Sequence, residues 1–183
     1  MTGFKTVPRL FTRLATLIAL VLAVASSAVP ARAAMSREYE IKAAYLYNFI
    51  SYIDWPDDSA GTITIGVVGE SPFGPALAPL SGRKVKGRTV AVREVSSAAE
   101  MRSCQIVFIS PSEKQRFGSI LDGLKNSRIL TVSEIDGFAE RGGVINFISE
   151  RNKVRFEINQ EAARSKGLTI SSELLKLARL VGS

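Results

Sequence analysis

Residues 105–132 read QIVFISPSEKQRFGSILDGLKNSRILTV. Gln105 to Ser110 is an apolar, β-branched run that predicts a central strand. Ser112 follows as a candidate N-cap for a helix ending near Leu124. Arg128 to Val132 is the next strand. Strand, helix and strand within so short a stretch imply a parallel pair joined by a helical crossover.

Working outward, the same alternation continues on both sides. Upstream, Thr62 to Gly69 (TITIGVVG) reads as a buried strand. Ser71-Pro72-Phe73-Gly74 is a turn, and a short helix follows to Leu80. Ser81 to Gly87 is a polar loop, Arg88 to Val95 a strand, and Ser97 to Arg102 a short helix. Downstream, Ser133 is placed as the cap of a short helix running to about Glu140. Arg141-Gly142-Gly143 is a turn. Val144 to Ser149 (VINFIS) and Val154 to Asn159 (VRFEIN) flank Glu150-Arg151-Asn152-Lys153, a hairpin signal. A last helix is expected over Ser172 to Leu180, with Lys176 and Arg179 near its end. The expected fold is a single α/β domain. It has a mostly parallel sheet flanked by helices and an antiparallel hairpin on the C-terminal side.

The first 33 residues stand apart. Lys5, Arg9 and Arg13 precede an uncharged apolar run, Leu14 to Ala25, and Ala31-Arg32-Ala33 offers small residues to a signal peptidase. This is the layout of a Sec signal peptide cleaved near Ala33, with a periplasmic mature chain over 34–183. The run is short for a membrane span, which needs roughly 20 apolar residues. The chain carries a formal charge of +7, and losing the four basic residues of this segment lowers it to +3. With no dense basic block in the remainder, nucleic acid is not an expected partner.

Composition excludes much chemistry. Histidine is absent and Cys104 is the one cysteine. A Ser-His-Asp triad, a histidine zinc site, a CxxC redox pair and an intramolecular disulfide are therefore all ruled out. No catalytic residue, metal site or cofactor is expected. Carboxylates such as Glu70 and Glu134 have acid–base chemistry available, yet nothing in their spacing singles out a pair. Cys104 reads as a buried thiol, or else as an exposed one open to intermolecular pairing.

Ser36 is a candidate N-cap for the first helix, with Glu38 and Glu40 in its first turn, and Pro56 ends it after about Ile53. Tyr39, Ala43, Leu46, Tyr47, Ile50 and Ile53 share one face, suited to packing on the sheet. Ile41, Tyr45, Phe49 and Tyr52 form a second apolar face. It is covered either by the C-terminal helix or hairpin, or by a partner or a second copy of the chain. Trp55-Pro56 is expected to seal the helix end against the core.

Three stretches together resemble one family. They are Lys42-Ala43-Ala44-Tyr45-Leu46-Tyr47-Asn48-Phe49 running on to Trp55-Pro56, then Gly137 to Phe147 (GFAERGGVINF), then Val154 to Asn159 with Ile170-Ser171-Ser172-Glu173-Leu174-Leu175. In this combination the chain resembles the YfiR-like family of bacterial periplasmic proteins. The resemblance implies a compact α/β domain and, in the best-understood members, a repressor. Such a repressor binds the periplasmic sensor region of an inner-membrane diguanylate cyclase and lowers cyclic-di-GMP signalling and biofilm formation. It implies a membrane association only through that partner, and no catalytic motif.

The residues themselves offer an alternative, a periplasmic small-molecule binder. Open α/β sheets bind ligands beyond the carboxyl ends of their strands. Those ends carry Glu70, Ser71, Ser110, Ser112 and Ser133. The serines are either plain caps or anion-binding helix starts. Arg141 is either a turn residue or a ligand contact. Arg155 and Glu157 share a strand face and are expected to form an ion-pair ladder on its solvated side.

Overall fold

The computed structural model describes residues 28–56 and 61–182, with side chains from Met35 onward. The basic front end and apolar run of the expected signal peptide lie outside the described residues. Two compact units divide the chain, 1–37 and Glu38–Ser183. The architecture below is that of the second.

Helix α1 spans Ala28–Tyr52. Ser36 therefore lies inside it and is not its cap. The chain then turns extended as β1 (Ile53–Asp54), pairing antiparallel with β9 (Thr169–Ile170), before Pro56. The main strands are β2 (Thr62–Val68), β4 (Arg88–Val95), β5 (Ile106–Ile109), β6 (Leu130–Ser133), β7 (Ile145–Glu150) and β8 (Lys153–Asn159). Two short strands, β3 (Lys84–Val85) and β10 (Arg179–Val181), complete an eight-stranded sheet in the order β10-β8-β7-β6-β5-β2-β4-β3. The pairs from β4 through β7 are parallel. β7 and β8 form the antiparallel hairpin, closed by Arg151 and Asn152, both with positive φ. β3 adds antiparallel at one edge, and β10 adds parallel to β8 at the other.

Side chains of each central strand alternate between two cores. On β5, Ile106 and Phe108 join one core with Leu46, Phe49 and Ile50 of α1. Val107 and Ile109 join the other, with Phe117, Ile120, Leu121 and Phe138. Helices α2 (Ala98–Arg102) and α3 (Phe117–Gly123) contribute to this second core. Ser97 caps α2 through a capping box with Glu100. Cys104 is buried, and Trp55 seals the first core.

Three expected helices are changed. Ser112 belongs to a 3-10 turn, Pro111–Glu113, and α3 begins only at Phe117. Residues 134–140 form turns rather than a helix, because Phe138 must reach the second core while Gly143 passes against its ring. A Cβ on Gly143 would fall within that ring, so only glycine fits there. The last helix stops early: α5 is Ser172–Leu175, and Arg179 to Val181 instead extend the sheet. Helix α4, Gln160–Ser165, was not anticipated; Asn159 caps it.

The second apolar face of α1 is divided. Phe49 is fully buried. Tyr45 is half-buried and packs on Phe49, Phe147 and Phe156 at centroid distances of 6.0, 6.0 and 5.3 Å. The hairpin thus covers both, and they do not form an open surface. At about 100° per residue, Phe49 lies only about 40° from Ile53, on the flank of the buried arc. Ile41 and Tyr52 remain exposed, roughly 16 Å apart along the axis.

Candidate functional site

The carboxyl ends of β6 and β7 open into a cleft of about 470 Å³. Its walls are the middle of α1 (Glu38, Lys42), the residues after β6 (Glu134, Asp136), the end of β7 (Phe147 to Glu150) and Arg179 of β10. Lys42 is the central group. It is only 4% exposed, a position that α1's apolar stripe dictates, because residue 42 falls between Phe49 and Ile53 on the helical wheel.

A buried ammonium needs anionic partners. Lys42 has Glu38 at 2.6 Å, one turn back on α1, and Glu134 from the β6 end. Its Nζ also sits 4.6 Å from the centroid of the Tyr39 ring. The Tyr39 hydroxyl donates to Glu134 Oε1 at 2.9 Å. Burial, then the charge of Glu134 and its hydrogen bond, push the Tyr39 phenol well above its ordinary range. Tyr39 stands edge-on to Phe73 at 5.4 Å, and Phe73 stands edge-on to Phe108 at 4.7 Å. Aromatic packing thus seats the charged cluster on the central strand.

A second polar line crosses the sheet at the same level. Pairing register places Ser133 beside Asn146, Asn146 beside Glu157, and Glu157 beside Arg179. Glu157 is 3% exposed. It accepts from Asn146 Nδ2 at 3.1 Å and pairs with Arg179. The expected ladder with Arg155 is therefore not formed: β10 covers Glu157, whereas Arg155 is exposed.

The candidates named from sequence are distributed differently. Glu70 is exposed, and its N–H donates to Ser112 Oγ at 3.0 Å. Gly69, at φ +83°, permits that approach, since a Cβ would meet Ser112 and Glu113. Ser71 is half-buried in the following turn. Ser110 is fully buried, with no partner for its Oγ. Ser133 donates to Ile109 O at 2.7 Å and accepts from Ile135 N at 3.2 Å, so it closes a turn rather than starting a helix. Arg141 lies 4.1 Å from the Phe117 ring and donates to Asp136 O at 2.9 Å. None of these six lines the cleft. Lys42, Tyr39, Asp136 and Arg179 were missed. A lysine inside an apolar helical stripe was the one available signal.

Chemically, the cleft offers two cations and several carboxylates, most held in pairs. That equipment suits recognition of a charged group. The YfiR/HmsC-like family profile matches residues 39–179. The chain belongs to the YfiR/HmsC-like family. This is a family of periplasmic regulators and not a known enzyme family. No described helix is long and apolar enough to cross a membrane. No curated protein shows a significant match. Among solved structures, the chain is similar to a conserved domain protein from Vibrio cholerae O1 biovar El Tor strain N16961. The identity is 12%, the TM-score 0.51, and the match covers 78% of this chain and 59% of that one. That likeness concerns the fold alone. An ABC domain from Streptococcus pneumoniae in complex with L-Trp matches at 15% identity and TM-score 0.47, over 65% of this chain and 55% of that one. The chain thus spans less than two thirds of either structure.

Proposed function

We propose that this protein is a periplasmic regulator that binds the periplasmic sensor region of an inner-membrane diguanylate cyclase and represses it, lowering cyclic-di-GMP. The observation that carries this reading is the family match, which spans nearly all of the Glu38–Ser183 unit. Two exposed apolar side chains on one side of α1, Ile41 and Tyr52, support a protein-facing role. A homodimer through the same side is the competing use of that surface. The decisive experiment is cellular cyclic-di-GMP in a strain lacking the gene, with and without its restoration. A rise on deletion, reversed by restoration, is expected. An unchanged level across several growth conditions overturns the repressor reading.

The cleft at the carboxyl strand ends favours a second reading, binding of a small charged molecule. Glu134 and Asp136 take the place that Ser133 was expected to hold. The two readings are compatible, because a ligand in the cleft is a natural signal for releasing a bound partner.

A further inference from the structure

One wall of the charged cleft is an unfinished strand pairing. β6 stops at Ser133, and its register with β7 goes no further than Asn146. β7 runs on to Glu150 beside β8. Phe147 to Glu150, the part of β7 beyond that register, line the cleft.

The hairpin decides which way the backbone groups point. Arg151 and Asn152, both at positive φ, leave Glu150 and Lys153 as the closing pair of a two-residue loop. A closing pair exchanges its hydrogen bonds, and the direction alternates along the strand. Glu150 and Ile148 therefore turn their peptide groups to β8. Phe147 and Ser149 turn theirs to the β6 side. Phe147 still meets the end of β6, but Ser149 has no strand opposite it there and is exposed. Such an edge is a template for an added strand. The outer edges of the sheet, β3 and β10, are only two and three residues long. The step beside β7 differs from both, because α1 and the residues after β6 wall it in.

Charge selects what enters. The lining sets Glu38, Glu134, Asp136 and Glu150 against Lys42 and Arg179. Both cations are committed, Lys42 to Glu38 and Glu134, and Arg179 to the buried Glu157. Asp136 and Glu150 are exposed. An incoming chain therefore meets a net negative wall, which basic side chains complement.

We propose that the cleft binds an extended basic segment of a partner protein, added as a strand beside Ser149 where β6 stops short. The proposal rests on the reading of this protein as one that binds a partner.

The probe is the blocked peptide acetyl-Lys-Val-Lys-Val-Lys-Val-amide, titrated into the purified protein at constant ionic strength. Backbone amide resonances are expected to shift saturably at Asp136, Ser149 and Glu150. The same peptide with glutamate for lysine is expected to bind at least tenfold more weakly. Methylating every peptide nitrogen of the basic peptide removes its donors but keeps its charge, and is expected to abolish binding. Ser149→Pro removes the open-edge N–H, a change that strand edges tolerate. It is expected to abolish binding at unchanged Tm. Asp136→Asn with Glu150→Gln leaves the backbone intact and is expected to weaken binding by about fivefold. Three results overturn the proposal: no saturable shift at Ser149 and Glu150, an acidic peptide that binds as tightly, or a methylated one that does. Shifts confined to Ile41 and Tyr52 also overturn it, while upholding a protein-facing role for α1. An unchanged cyclic-di-GMP level on gene deletion overturns the repressor reading alone, and the titration still decides the proposal.

Discussion

The two ends of this sheet solve opposite problems. At the carboxyl ends, Lys42 is buried yet carries Glu38 and Glu134 within pairing distance, with the Tyr39 hydroxyl bonded to Glu134. At the amino ends, the buried Trp55 indole N–H lacks an acceptor. The carboxyl-end cluster is largely satisfied by the chain itself, so it contributes to stability and leaves only its rim for recognition. At the amino ends the Trp55 indole N–H leaves one buried hydrogen bond unmade. Family membership alone distinguishes neither end.

Glu134→Ala tests the first half of that contrast and has the largest expected effect. Removing one partner of a buried pair commonly costs about 3–5 kcal/mol. Glu38 remains beside Lys42, so a loss of about 2–3 kcal/mol is expected in chemical denaturation. Adding Lys42→Met should recover much of it, because an apolar replacement removes the buried charge. A double variant no more stable than Glu134→Ala would show that the cost lies in packing. At the amino end, Trp55→Phe should cost only about 1–2 kcal/mol, since it loses ring volume but no hydrogen bond. A larger loss would mean that the indole N–H has an acceptor in solution.

The carboxyl-end cluster should also show an alkaline signature. The folded Tyr39 phenol is raised above its ordinary value of about 10. Its contribution is therefore complete below that pH. Stability should fall as pH rises further, because the unfolded chain releases the proton first. Tyr39→Phe should flatten this slope relative to the parent when stability is followed by denaturant titration between pH 9 and about 11.

The sheet was legible because its strands are apolar and β-branched, and the hairpin because Arg151-Asn152 sits between two such runs. The charged cleft was not legible. Its groups come from α1, the β6 end and β10, which lie far apart in sequence, and only strand register unites them. Arg179 was read as the end of a helix because cations are common there, whereas Glu157 draws it into a strand. A two-face division of α1 puts Phe49 on the second face, with its cover left open between the chain itself and a partner, because that division ignores how wide the buried arc is. Ser112 and Ser133 were read as helix caps from residue type. A serine oxygen serves equally well in a loop: Ser112 Oγ accepts from Glu70 N, and Ser133 closes the turn that carries Phe138 into the second core.

The smallest expected effect compares two buried serines at adjacent strand ends. Ser133 makes two hydrogen bonds, to Ile109 O and from Ile135 N. Ser133→Ala should leave that buried carbonyl and amide without this partner, at about 1–2 kcal/mol. Ser110 is equally buried, but its hydroxyl has no partner. Ser110→Ala therefore removes an unsatisfied polar group and should be neutral or stabilising by a few tenths of a kcal/mol, at most about 0.5. The two changes delete the same atom from the same side-chain type on neighbouring strands. A difference in denaturation midpoint therefore isolates the hydrogen bonds from the volume lost. Equal losses would mean that Ser110 has a partner in solution, and an ordered water or a ligand group at the strand ends would then complete the carboxyl side as well.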